Sequence, residues 1–283
     1  MNIGIIGLGL MGGSFGKTLK KAGGHTVYGT DLSPAVMQKA ELIKAFDVEL
    51  TEQNVGELDM LIFAIYPETF EKTAERFLPL LKSGAIVTDF CGTKRGVVST
   101  MRRFAEIYPE IVFIGGHPMA GREFSGIEHS TASLFERASM ILVPINADIY
   151  ALDKAKKFYL SLGFNSVEIT TAENHDKMIA YTSQLCHIVS NAFIKNEQAE
   201  KHAGYSAGSY RDLTRVARLN PEMWSQLMIE NGDKLKSELD EFISNLQKYS
   251  AALGASDREE LKKLLAEGNE RKLSIDSKKT KKD

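Results

Sequence analysis

The chain has 283 residues, 43% hydrophobic and 25% charged, which suits about two domains with ordinary cores and excludes an intrinsically disordered chain. Its 35 basic and 37 acidic residues give a formal charge of −2, so no global positive field exists to track phosphates, and no nucleic-acid partner is expected. The two cysteines, Cys91 and Cys186, lie far apart without ligand spacing, which excludes a disulfide framework and a cysteine metal site; no metal is expected.

The apolar N-terminus has no cationic leader and is interrupted by glycine at positions 4, 7, 9, 12, 13 and 16, unlike a signal peptide. No run of about 18 apolar residues occurs, so no membrane span is expected. A cytoplasmic protein is the expectation.

In chain order, strands are predicted at 2–6, 26–30, 60–65, 85–89, 111–114, 140–143 and 166–169. Several are almost wholly apolar, as parallel strands covered on both faces are. Helix-length segments separate them, one opened by Ser33-Pro34, an N-cap followed by a proline suited to the first helical position. This alternation predicts an α/β fold, a Rossmann-type doubly wound parallel sheet over residues 1–171. Residues 172–283 carry helical periodicity without strands and are predicted to form an all-helical domain. Leu235, Leu239, Phe242, Leu246, Tyr249 and Leu253 fall on one face, and Ser256 with Glu259 forms a capping-box pattern for a further helix. The apolar surface is generous for a small bundle, so a homodimer through this domain is expected. The lysine-rich tail from Ser277 is read as a frayed end.

The run Gly7-Leu8-Gly9-Leu10-Met11-Gly12 is a GxGxxG directly after a strand and opening a helix. Gly7 permits the tight turn, Gly9 lets backbone approach a pyrophosphate, and Gly12 allows close helix–strand packing. The N–H groups of Leu10, Met11 and Gly12 then face the phosphates at the positive end of the helix. Asp31 ends the next strand, where its carboxylate can accept both ribose hydroxyls and repel a 2′-phosphate. A dinucleotide site selecting NAD over NADP is the expectation.

At the end of the strand at 111–114 lies Gly115-Gly116-His117-Pro118-Met119-Ala120-Gly121. Ligands of open α/β sheets bind beyond the carboxyl ends of strands, so His117 is predicted in the nicotinamide region. A strand-end histidine is often structural, but small neighbours leave room here for a substrate. A neutral imidazole is the natural base for an alcohol proton that departs as hydride leaves. In Asp89-Phe90-Cys91-Gly92-Thr93-Lys94, Thr93 can orient a ring or a histidine and Lys94 can meet an anion; Cys91 is read as a packing residue. In 177–194, Ser183, His187 and Asn191 recur at i, i+4 and i+8 of an apolar helix, either as an internal network or as a substrate-facing wall. Arg211, Arg215 and Arg218, at i, i+4 and i+7, share a helical face able to fork carboxylates. Trp224, the only tryptophan, either closes over a ring or packs in the core.

Together GLGLMGGS, TDFCGTK, GGHPMAG-REFSG, ENHDKMIAYTSQLCH and YRDLTRVARLNPEMW, in this order, resemble the prephenate/arogenate dehydrogenase family over the chain to about residue 250. The resemblance implies a Rossmann domain and a helical dimerisation domain with the active site in the crevice between them. It also implies NAD-dependent oxidative decarboxylation of prephenate, or of arogenate, within tyrosine biosynthesis. His117 matches the family's catalytic histidine, Arg215 the arginine holding a substrate carboxylate, and His187 a second histidine lining the pocket. Glu123 matches an acidic residue that gates the site with that arginine; Ser183 and Trp224 are expected to line it. Many members carry a serine that orients the catalytic histidine where this chain has Gly92, so Thr93 is the expected substitute. Neither a chorismate mutase segment before the Rossmann domain nor a regulatory ACT domain after the helices is expected. Two other readings are a β-hydroxyacid dehydrogenase using Lys177, which leaves GGHPMAG unexplained, and a non-catalytic NAD-sensing module.

Overall fold

The computed structural model describes residues 1–122 and 124–279. Eight strands form one sheet: β1 (Asn2–Ile6), β2 (Thr26–Thr30), β3 (Val48–Glu49), β4 (Met60–Phe63), β5 (Ile86–Asp89), β6 (Val112–Pro118), β7 (Ser139–Pro144) and β8 (Ser166–Ile169). Helices α1 (Leu10–Ala22), α2 (Pro34–Leu42), α3 (Pro67–Phe77), α4 (Arg95–Ile107) and α5 (Ile149–Ser161) connect them. Then follow α6 (Ala172–Ile179), α7 (Cys186–Phe193), α8 (Gly208–Thr214), α9 (Pro221–Glu230), α10 (Gly232–Gly254) and α11 (Arg258–Lys279). The order across the sheet is β3-β2-β1-β4-β5-β6-β7-β8. Its first six positions are the dinucleotide-binding order, with the reversal between β1 and β4.

The wholly apolar β4 is buried at every residue, as its continuous hydrophobic run required, and so is β5, including its polar Thr88 and Asp89. Phe15 of α1 anchors one face of the sheet, fully buried with its ring centroid 5.0 Å from Phe90 and 5.7 Å from Phe135. Truncating a ring so placed costs about 3–5 kcal/mol. Phe63, Phe70 and Phe113 fill the other face. The Ser33 hydroxyl caps α2 by accepting from Val36 N at 3.4 Å, with Pro34 in the first turn. Thr171 caps α6 through Asn174 N at 3.2 Å, and Asn220 caps α9 through Met223 N at 3.2 Å.

The sheet departs from the expected pattern at its far side. β7 runs antiparallel to β6, with His117 opposite Ile141, and β8 then pairs parallel to β7. β6 also continues through His117 to Pro118, so this histidine lies within a strand's last residues. The two-residue β3 is too short to give a period in the sequence.

The chain divides into two compact units, Met1–Asn231 and Gly232–Asp283. The second is the α10–α11 hairpin, in which the Tyr249 hydroxyl donates to Leu264 O at 3.2 Å. Leu246 and Leu253 of its apolar stripe are exposed, as is the neighbouring Ile243. Asp257, not Ser256, caps α11, accepting from Glu260 N at 2.9 Å, while Ser256 takes the left-handed conformation that ends α10 (φ 52°). The end expected to fray from Ser277 is helical through Lys279.

Candidate active site

The glycine loop has the shape that a pyrophosphate needs. Gly7 sits at φ 89°, a left-handed conformation that suits glycine, and its N–H donates to Thr30 O at 2.8 Å. A Cβ on Gly12 would overlap the Gly7 carbonyl oxygen, so only glycine permits α1 to start this close to β1. A Cβ on Gly9 would meet nothing within 4 Å, so space is left above the turn. The first-turn amides of Leu10, Met11 and Gly12 lack intrahelical acceptors by geometry and supply donors there. Asp31 ties this loop down, accepting from Leu8 N at 2.8 Å and Ser33 N at 2.9 Å. The cradle fits a dinucleotide, and Asp31 directly follows β2 beside it.

At the carboxyl ends of β5 and β6, side chains from distant segments converge on His117. Its Nδ1 lies 2.8 Å from His175 Nε2, and His175 Nδ1 lies 2.7 Å from Asp176 Oδ1. Asp176 also accepts from Lys94 N at 2.7 Å, Arg95 N at 2.9 Å and Arg95 Nε at 3.2 Å. Against the opposing effect of burial, the His175 hydrogen bond, then the Arg95 and Lys94 amides, hold its carboxyl below the usual carboxylate range. Burial, with His175 and the Lys94 ammonium, holds the His117 pKa well below 6.5. Burial chiefly, and Lys94 after it, lowers that of His175, which Asp176 only partly offsets.

Lys94 is fully buried and ion-paired with Asp89, which also accepts from Cys91 N at 2.9 Å and Gly116 N at 3.0 Å. That pairing corrects the reading of Lys94 as an anion ligand: its ammonium braces the loop after β5 against β6. Burial and the Asp89 carboxylate raise the Cys91 thiol pKa well above its usual value, consistent with a packing residue.

Thr93 does not hold His117. Its hydroxyl lies 2.6 Å from Glu230 Oε2, while the inner nitrogen of His117 is taken by His175. A cleft of about 300 Å³ opens beside Thr93, Asp176 and Glu230, with Glu68 and Glu71 on its wall, a carboxylate lining that repels a dianion.

A second cluster forms where α7 meets the segment between α8 and α9. His187 Nδ1 donates to Val216 O at 3.0 Å, Asn191 Nδ2 donates to Ala217 O at 3.1 Å, and the His187 and Trp224 rings lie 4.0 Å apart. The Asn191 side chain and one edge of His187 therefore belong to an internal network. Burial lowers the His187 pKa, and the positive Arg215 nearby adds to that. Ser183 falls in a π-helical stretch, Ala180–Leu185, which breaks the i, i+4, i+8 register expected of one straight helix.

The three arginines do not share a helical face. α8 stops at Thr214, because the chain must extend to let Asn220 cap α9 and Pro221 enter its first turn. Arg215 remains at the helix end, and Arg218 lies over the Phe124 ring at 5.5 Å. Glu123 lies outside the described residues. His175 and Asp176 are the functional candidates that sequence reasoning misses; the adjacent His-Asp pair early in a polar helix start, both buried here, is the available signal.

A Rossmann strand order, a glycine cradle and a neutral histidine at the strand ends define a dinucleotide-dependent oxidoreductase. The family model "Prephenate dehydrogenase, nucleotide-binding domain" matches residues 15–168, and "Prephenate dehydrogenase, dimerization domain" matches residues 171–267. The chain belongs to the prephenate dehydrogenase family, whose members are NAD-dependent oxidoreductases. It is 29% identical to the cyclohexadienyl dehydrogenase of Zymomonas mobilis, over 97% of this chain and 96% of that protein. The prephenate dehydrogenase of Aquifex aeolicus, solved with hydroxyphenyl propionate and NAD+, superposes with a TM-score of 0.82 at 28% identity, covering 97% of this chain and 98% of that one. The arogenate dehydrogenase of Synechocystis gives 0.79 at 25% identity, covering 97% and 100%. The cofactor is NAD.

Proposed function

We propose that the protein oxidises prephenate to 4-hydroxyphenylpyruvate and CO2 in tyrosine biosynthesis, with His117 as general base and Arg215 holding a substrate carboxylate. The observation that carries this is the hydrogen-bonded placement of a neutral His117 at the carboxyl end of β6. Bound NAD supplies the hydride acceptor. His117 takes the ring hydroxyl proton as the C4 hydride departs, leaving a ring ketone. The carbon–carboxylate bond then breaks, its electron pair flows through the ring to the ketone oxygen, and that oxygen recovers the proton held by His117. Aromaticity makes the step effectively irreversible. Arg215, His187 and Trp224, with Ser183 and Glu123, form the substrate side of the reading, and Asp31 selects NAD over NADP.

Residues 1–171 carry the nucleotide and residues 172–283 carry substrate contacts and a homodimer interface. The exposed Leu246, Leu253 and Leu265 of α10 and α11 support the dimer. Among the described residues, no helix is long and apolar enough to cross a membrane. A second reading, arogenate or dual specificity, is favoured by the near end-to-end match to a cyclohexadienyl dehydrogenase. Purified protein with NAD and either substrate, followed by NADH absorbance, separates the two. Turnover of prephenate at least about tenfold above arogenate in kcat/KM supports the first reading. Preference for arogenate overturns it, and turnover of neither overturns both.

A further inference from the structure

We propose that His175 and Asp176 form a positioning relay that fixes the tautomer of His117, placing its one ring proton on Nδ1 and leaving Nε2 bare for the substrate. This inference rests on the reading of His117 as the base, and it assigns a role to the ENHD segment that the reaction alone leaves without one.

The argument is one of donors and acceptors, worked outward from the buried end. Asp176 takes the backbone N–H groups of Lys94 and Arg95 and the Arg95 side chain, so it is an ionised carboxylate and can only accept. The atom facing it at 2.7 Å, His175 Nδ1, must therefore carry a proton. His175 is fully enclosed and its ring is held neutral, so that proton is its only one and Nε2 is bare. The 2.8 Å contact between His175 Nε2 and His117 Nδ1 then needs a proton from His117. A neutral His117 has one to give, and its Nε2 is left as an open lone pair.

An isolated imidazole would divide itself between two tautomers, one of which has no base on the outer nitrogen. Locking the productive one removes that loss. The Asp176 carboxylate behind His175 offsets part of the burial that disfavours the imidazolium formed by proton transfer, while Nδ1 keeps its donor role. Asp176 is itself anchored through its backbone carbonyl, which accepts from Asn231 Nδ2 at 2.8 Å, while Asn231 Nδ2 also meets Gln184 Oε1 at 2.8 Å. Both histidines are thus held against α4 and α9 and have little freedom to turn away.

The test uses full-length protein selectively ¹⁵N-labelled at histidine, with ring tautomers read from two-bond ¹⁵N–¹H correlations at neutral pH. The relay requires His117 and His175 both protonated on Nδ1 in the unsubstituted protein. A proton on Nε2 of His117 overturns the proposal, and this arm depends on neither the substrate nor any variant folding. In the kinetic arm, His175→Phe removes the acceptor. It is expected to lower kcat about tenfold to a hundredfold, with KM for whichever cyclohexadienol is turned over moving less than about threefold. His175→Gln, whose side-chain oxygen can still accept from His117, is expected to recover at least about tenfold of that loss. A His175→Phe enzyme with unchanged kcat, or a loss appearing only in KM, overturns the positioning role. Should neither substrate turn over, the proposed reaction fails while the tautomer measurement still decides the relay.

Discussion

The nucleotide cradle and the proposed base are built from opposite materials. The cradle between β1 and α1 is backbone and empty space: a glycine at positive φ, a helix start pressed against the turn, and an open position at Gly9. The proposed base, His117 on β6, is held by side chains from another segment, His175 and Asp176 on α6, with the N-terminus of α4 closing the carboxylate. Backbone and space bind charge that the cofactor brings with it, and need no titratable group. A base must keep one proton in one place, and only a network of side chains does that.

Breaking the cradle gives the largest effect. In Gly12→Ala the new methyl meets the Gly7 carbonyl, so β1 and α1 must separate; we expect loss of NAD binding or of soluble protein, read by NADH fluorescence titration and circular dichroism. Gly9→Ala sharpens the contrast. Its Cβ touches no protein atom, so the variant folds normally yet weakens NAD by about tenfold or more, because the methyl occupies pyrophosphate space. A Gly9→Ala protein that binds NAD unchanged would show that the cradle is not where the phosphates lie.

Breaking the base comes next. His117→Asn is expected to lower kcat by roughly 10²–10⁴-fold while NAD affinity stays within about twofold, since the two regions share no side chain. Charge at the cradle's edge gives a smaller change. Asp31→Asn is expected to raise the ratio of NADP to NAD in kcat/KM by about tenfold, or about 1.4 kcal/mol, through loss of repulsion against a 2′-phosphate.

The same contrast explains what could be read from the sequence. The glycine loop, the Ser33 cap and the apolar strands were legible because each acts over a few residues of chain. The place of His117 at a strand end was legible from its glycine and proline neighbours. Its partner was not, because His175 lies 58 residues further on and meets it only after β6 and α6 have packed. Thr93 looked like the orienting group because it stands one place from Gly92, but its hydroxyl finds Glu230, 137 residues away. The arginine face is broken at Arg218 for a local reason, because Asn220-Pro221 starts a new helix and the chain ahead of it must extend.

Acidity separates the regions in another way. Both His117 and His175 have pKa values lowered by burial, so each stays neutral in the folded enzyme below the ordinary value of about 6.5. As pH falls from about 6.5 toward those lower values, the unfolded chain takes up protons that the folded chain refuses, and stability declines with pH. The acid limb of kcat/KM is expected to have its midpoint below about pH 6.5, and thermal unfolding followed by circular dichroism is expected to move to lower temperature across the same window. A midpoint above 6.5 would mean that the titrating group is not this enclosed pair.

The smallest expected effect is the one that most directly separates orienting from packing. Thr93→Val removes the hydroxyl bonded to Glu230 but keeps the shape of the side chain. If His175 holds His117, the substitution costs only the lost hydrogen bond, about 1 kcal/mol of stability in urea unfolding, and leaves kcat within about threefold. Glu230 keeps a second partner in Gln226 Nε2 at 3.0 Å, so it is not stranded. A fall in kcat of a hundredfold or more, with stability unchanged, would instead put the orienting function on Thr93 and leave His175 as a buried bystander. Because the two outcomes move different observables, the comparison between kcat and unfolding free energy decides which residue steadies the base.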